Sequence, residues 1–409
     1  MARAVTPSDR ERHRVFFIFA ALDAILCVGI WLPAGLGIEQ VWGSPPSVRS
    51  LHAQGLLFGV VPATMTGFLL TALPRWTGRQ PISRPAAILL FWFWFAGRAA
   101  FFLLPAAAGS VSAAFIALLA LIVAREVAAA EDLRNVKIAL LLGALSIGAG
   151  MVGVSADRGF AEPGLRISVA AILGLIVVLG GRVVPSLTAH HFEMRGEKSP
   201  IVRRQWIERA SAVATALALC AWMIAPYEAT TGVACAFAAV GQAARLVQWH
   251  SWRMVAHLPV LVLHLAYGWV SIGFAFFAVH ILCPGTISRV TALHAWAVGA
   301  IGLMSLAIMA SMTRKQSGAA LRPSRMMSLS YVCGLVAVVT RISAAAFPAQ
   351  WIWLLLSTTT WIMSFALFLI VFRRALFGDL ASRRGLTPVP EGQDSVLKSG
   401  CEKGCLHKR

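Results

Sequence analysis

Apolar residues run along nearly the whole chain in long blocks, separated by short polar turns rich in arginine. About 20 helical residues cross the hydrocarbon core of a bilayer, and blocks of that length begin near Val15, Leu51, Ala86, Ala106, Val136, Arg166, Arg209, Ala229, His257, Ser288, Arg325 and Gln350. Backbone groups in lipid must bond within their own segment, so each block reads as a helix. The division least marked in the pattern is the run 86–124, interrupted by Arg98 and Pro105. At about 1.5 Å per residue it spans roughly 58 Å, enough for two crossings, so a hairpin turning at Pro105 is expected. The predicted fold is all-α: a polytopic integral membrane bundle of about twelve transmembrane helices.

The domain organisation follows directly. Residues 1–14 form a basic cytoplasmic arm, 15–375 the twelve-helix membrane domain, and 376–409 a polar tail whose composition reads as disordered. The arm lacks the small-residue cleavage site of a secretory signal, and the first apolar block contains Asp23, so a removable leader is not expected.

Composition adds little to this picture, with 58% hydrophobic residues, but charge placement adds a direction. With the N-terminus inside, the arm, the even-numbered turns and the tail hold 29 of the 36 Lys and Arg. The opposite side holds four (Arg49, Arg158, Arg166, Arg289), and Arg98, Arg182 and Arg341 fall within spans. Cytoplasmic loops accumulate Lys and Arg, so both termini are expected in the cytoplasm of a bacterial inner membrane. The net charge of +19 is therefore a topology signal facing anionic lipid, and no nucleic-acid partner is expected. Five of the seven cysteines (Cys27, Cys220, Cys235, Cys283, Cys333) lie in or beside spans without pairing spacing. The tail set Cys401, Cys405 and His407 departs from the usual metal-ligand spacing, and a plain reduced tail is the simpler reading.

Ionisable residues inside a membrane are costly and mark function. His13 and His407 lie in polar ends, and His190, His191 and His250 at cytoplasmic helix ends. Five histidines remain. His52 opens the second span at its outer end, His280 ends the ninth at the outer face, and His294 lies outward of the middle of the tenth. His257 and His264 are seven residues apart in the inner half of the ninth, hence on one helical face. Singly, such an imidazole is most simply a hydrogen-bonded packing residue. Three at one level on three helices are what a haem or copper site in a bundle requires. His52 and His294 differ in depth by about four residues, roughly 6 Å, which calls for separate centres or for a second span beginning before Leu51.

Glycines follow two of these histidines. Gly55 and Gly59 lie beyond His52, and Gly299 and Gly302 beyond His294. Bare helix there admits a flat macrocycle or, more simply, a neighbouring helix. Arg98 and Arg341 need anionic partners: Asp23, which lies at a depth compatible with Arg98, or haem propionates. The Met304, Met309 and Met312 set reads as core, and the tryptophans as interfacial belt and packing. Phosphate-cradling loops, a nucleophilic serine elbow and HExxH are missing.

Residues 52–78 (His52-Ala-Gln-Gly-Leu-Leu-Phe-Gly59 through Gly67-Phe-Leu-Leu-Thr-Ala-Leu-Pro-Arg-Trp-Thr-Gly78) resemble the NnrS family of membrane proteins. The resemblance continues in Phe95-Ala-Gly-Arg98, Gly180-Gly-Arg-Val-Val-Pro185, Leu263-His-Leu-Ala-Tyr267, Thr291-Ala-Leu-His294 and Val298-Gly-Ala-Ile-Gly-Leu-Met304. It implies a bacterial inner-membrane protein carrying haem and copper, associated with denitrification, nitric oxide and tolerance of nitrosative stress. One departure stands out: the family pattern His-Ala-His-Glu-Met-Leu-Phe-Gly has Gln54 and Gly55 here in place of its second His and its Glu, so one of two centres is altered or absent if that His binds metal.

The expected cofactors are haem b and copper, with nitric oxide as the small-molecule partner. Cofactor-binding candidates are His52, His264, His294, Arg98 and Arg341; metal candidates are His52, His294, His257 and His280. Two other readings stay open. One is a solute transporter using Asp23 and Arg98 midway across the bilayer. The other is a remote relative of haem–copper oxidase subunits, against which the lack of adjacent paired histidines in the spans counts.

Overall fold

In the computed structural model, residues 14–38, 45–131, 133–154, 162–316, 324–347 and 350–382 are described. Every apolar block is helical, as the need for internal backbone bonding requires. The twelve spans are α1 Arg14–Gly35, α2 Val48–Thr77, α3 Arg84–Leu103, α4 Ala107–Ala129, α5 Val136–Gly153, α6 Glu162–Glu193, α7 Gln205–Ile224, α8 Ala229–Gln248, α9 Leu258–Leu282, α10 Arg289–Lys315, α11 Arg325–Ala346 and α12 Trp351–Leu376.

Local chemistry sets the ends. Ser83, Ser288 and Ser324 accept from the backbone N–H groups of Ala86, Thr291 and Met327 and so begin α3, α10 and α11. The expected hairpin is present: α3 stops at Leu104, whose backbone leaves the helical region, and Pro105 opens the next helix. Three boundaries differ from expectation. The helix of α2 begins at Pro45, because Pro suits a first turn; α9 begins after His257 instead of at it; and α12 continues as helix to Ser382, into the segment expected to be tail. Residues 1–13 of the arm and 383–409 of the tail, with Cys401, Cys405 and His407, lie outside the described residues.

Burial separates core helices from rim helices. In their apolar windows α2, α6 and α10 are 83%, 78% and 72% buried, against 33% for α3 and 28% for α7. The rim helices instead present Leu89, Trp92, Leu217 and Phe237 outward, which suits hydrocarbon. α1 and α12 pack together and close one side of the core.

Two core helices depart from regular winding at matching places. Leu51-His52-Ala53 leads into a π-helical segment, Gly55–Val60, and Leu293-His294-Ala295 into another, Ala295–Gly302. A π-turn accommodates an extra residue and frees backbone carbonyls, and such segments concentrate at functional positions. One freed group is used at once: Trp94 Nε1 on α3 donates to the Gly59 carbonyl at 3.0 Å.

Candidate functional site

A cavity lies at one end of the bundle between α1, α2, α10, α11 and α12. Trp31, His52, His294, Arg341, Ser357 and Thr358 line it, with Trp361 behind them and about 710 Å³ of empty space counted out to its open side. The two histidines expected at different depths thus share one chamber. The early start of α2 and the π-turns below each histidine remove the offset that ideal helices from Leu51 implied.

Both imidazoles are held alike. His52 Nδ1 lies 3.4 Å from the Cys27 carbonyl, and His294 Nδ1 lies 2.8 Å from the Val290 carbonyl. A carbonyl only accepts, so Nδ1 carries the proton in each ring and Nε2 keeps a lone pair. That is the tautomer of a metal-ligating histidine whose other nitrogen is fixed by a backbone oxygen. The His52 ring also packs on Trp31, centroids 4.9 Å apart. Arg341 lies over the same indole at 5.7 Å and has no carboxylate partner among the described residues. The chamber therefore offers two ring nitrogens and a cation without a carboxylate partner among the described residues, on walls that are apolar apart from Ser305, Ser357 and Thr358.

Arg98 is elsewhere. Its Nε lies 3.2 Å from Asp23 Oδ2, Cys27 Sγ donates to Asp23 Oδ1 at 3.3 Å, and its guanidinium lies over Phe101 at 5.8 Å. This pair explains two glycines. A Cβ on Gly59 would strike Asp23 and Arg98, and one on Gly55 would strike Cys27 and Arg98. Gly299 and Gly302 similarly receive the rings of Trp269 and Trp361. Of the two readings of these glycines, close approach of a neighbouring side chain holds for Gly55, Gly59 and Gly299, while Gly302 both receives Trp361 and lines the chamber. The room that a family-like Glu would need at position 55 is filled by Cys27 and Arg98.

Three other histidines do not join the chamber. His264 is buried at the opposite end, with Thr188 Oγ1 2.8 Å from Nε2 and Ser251 Oγ 2.8 Å from Nδ1. Thr188 also donates to the Val184 carbonyl and Ser251 to the Leu246 carbonyl, so both ring nitrogens sit within a closed set of hydrogen bonds. Neither nitrogen remains for a ligand. His280 Nδ1 lies 2.8 Å from the Ile287 carbonyl, away from the chamber. His257 precedes α9 and stacks on His191, centroids 4.0 Å apart, instead of sharing a helical face with His264.

The His257 contact has a pH consequence. Burial, reinforced by His191, Arg314 and Arg195, lowers its imidazole from 6.5 to about 4. The neutral form is thus favoured by folding; its stabilisation is complete above pH 6.5 and is lost as pH falls through 4. Thermal unfolding measured across that range should show stability falling with pH, and His257→Gln should flatten that part of the curve. An unchanged profile in His257→Gln would assign the dependence to other groups.

One buried polar cluster lies among residues that the sequence pattern does not single out. Arg245 on α8 is buried, paired with Glu208 at 2.9 Å, bonded to the Tyr267 hydroxyl and to Gln242 at 3.3 Å. Gly181 abuts its guanidinium and Gly180 abuts Tyr267. The segments Gly180-Gly181 and Leu263 to Tyr267 therefore converge here, tying α6, α7, α8 and α9 together. Their separate recurrence in the family-like set was the available signal; their meeting was not visible in one dimension.

The twelve long apolar helices among the described residues define a multi-pass membrane protein, with His52, His294 and Arg341 gathered in one chamber at one end of the bundle. The chain belongs to the NnrS family, whose model, described as NnrS protein, matches residues 10–379. No curated protein matches it.

Proposed function

We propose that this NnrS-family chain is a haem b-binding inner-membrane protein of nitric oxide metabolism or nitrosative-stress tolerance. In this reading His52 and His294 supply Nε2 donors to the iron, and Arg341 faces the propionates. The observation that carries it is the shared chamber: two imidazoles fixed through Nδ1, and a cation with no carboxylate partner among the described residues. Haem bound there would supply a redox-active iron. His52 and His294 would hold the haem, Arg341 would neutralise its acidic groups, and Trp31 and Trp361 would keep bulk water away. The association with nitric oxide rests on family membership.

A copper ion at the same pair would have two imidazoles, and no cluster of three His, Cys, Asp or Glu is present among the described residues. We therefore assign the pair to haem. The transporter reading loses its main support, since Asp23 and Arg98 are engaged with each other. Non-covalent attachment follows from the lack of Cys-x-x-Cys-His in the chain. A pyridine haemochrome assay on protein expressed with ample iron should report b-type haem; its absence would overturn the reading and return the chain to the transporter class.

We also infer that both termini face the cytoplasm, from 29 Lys and Arg against four. A phosphatase fused after Arg409 should be inactive and a cysteine at Ser47 should label from the periplasm; the reverse would invert the topology.

A further inference from the structure

A second chamber sits deeper, between the three most buried helices α2, α6 and α10. Phe68, Ile172, Leu175, Leu179, Met304 and Ile308 line it, with about 560 Å³ of empty space counted to its open side. Val61, Ile301 and Ser305 belong to its wall and to the wall of the histidine chamber. Val61 and Ile301 sit at the inner ends of the two π-helical segments, with Ser305 about one turn further along α10. We propose that this inner chamber binds a small uncharged gas molecule and holds it beside the His52–His294 cavity.

The lining chemistry selects that class. Two hydroxyls touch the space, and both are spent: Ser305 Oγ donates to the Ile301 carbonyl at 2.8 Å, and Thr64 Oγ1 donates to Met309 Sδ at 3.7 Å. Water entering this half-open apolar pocket would exchange hydrogen bonds for hydrocarbon, and apolar pockets accept noble gases or small apolar molecules. An anion, an amine or a quinone head would find no free partner and would lose its hydration. A diatomic gas loses almost nothing. Met304 and Met65, flexible and polarisable, can yield around such a guest. The central position keeps the chamber away from the rim helices that face lipid. The destination of the gas rests on the haem reading of the outer cavity; occupancy of the chamber does not.

Xenon under pressure is the direct probe, applied to the full chain in crystals. A xenon peak among Leu175, Leu179 and Met304 is expected; no peak, or a lipid or detergent chain in its place, would overturn the proposal whether or not haem is bound. Leu175→Phe, with Leu179→Phe as a second filling variant, should abolish the peak. In haem-loaded protein the same variants should leave the absorption bands as they are while slowing nitric oxide association about tenfold, as expected when a route must open transiently. Bands unchanged with an unchanged rate would overturn the link between the chambers. A wild-type protein without haem would refute the outer-site reading alone, and the xenon peak would still decide this one.

Discussion

Replacing His294 with alanine is expected to strip the protein of haem most completely, His52→Ala substantially, and His280→Ala least. His294 combines a tight Nδ1 bond to Val290 with a place directly before the longer π-helical segment. His52 has a longer bond to Cys27 and support from Trp31. Loss of outer-shell partners alone weakens metal sites by about 10–100-fold, so loss of a donor should exceed about 100-fold in haem affinity. His280 serves the turn before α10 through Ile287, and its replacement should change stability more than haem content. The measurement is haem per protein with the Soret band of each purified variant. A normal spectrum in stably inserted His294→Ala would place that residue among packing histidines.

The second large effect concerns Arg98. Arg98→Ala would leave Asp23 buried beside α2 without its cation, and breaking one side of a buried ion pair costs about 3–5 kcal/mol. The Phe101 contact would be lost with it. Folded yield and thermal unfolding in detergent should fall sharply. Joint replacement, Asp23→Leu with Arg98→Met, removes both charges and should recover most of the loss, since an apolar substitute for a buried pair is often neutral or better. If the single variant is as stable as the parent, the pair does not brace α1, α2 and α3. If the double variant is stable yet haem-free, the charges act on the chamber and not only on packing.

Much of this architecture was legible because membrane insertion reads local averages. Twelve blocks became twelve helices, and the hairpin at Pro105 followed from length alone. His52, His294 and Arg341 stood out because polar groups at that depth need a reason. What failed to show was convergence. The depth of His52 was reckoned from an ideal helix beginning at Leu51, whereas the helix begins at Pro45 and winds differently after Gly55. His264 looked available because Thr188 and Ser251, which satisfy it, arrive from other parts of the chain. Trp31 carried no mark distinguishing it from other membrane tryptophans. Arg245 resembled one more basic residue near a helix end, and only Glu208, Gln242 and Tyr267 together make it a buried tie.

The two π-helical segments act as phase shifters. One residue beyond the regular repeat rotates everything on one side by about 100° relative to the other. α2 and α10 are thus each two rods on a common axis, with the histidine end indexed separately from the packed end. Losing one residue within Gly55–Val60 or Ala295–Gly302 would let the wide turn close to a regular one with both rods still aligned, whereas a further residue there would swing a histidine to a different azimuth, away from its partner. An added residue in these stretches, more than a change of residue type, would separate the two rings.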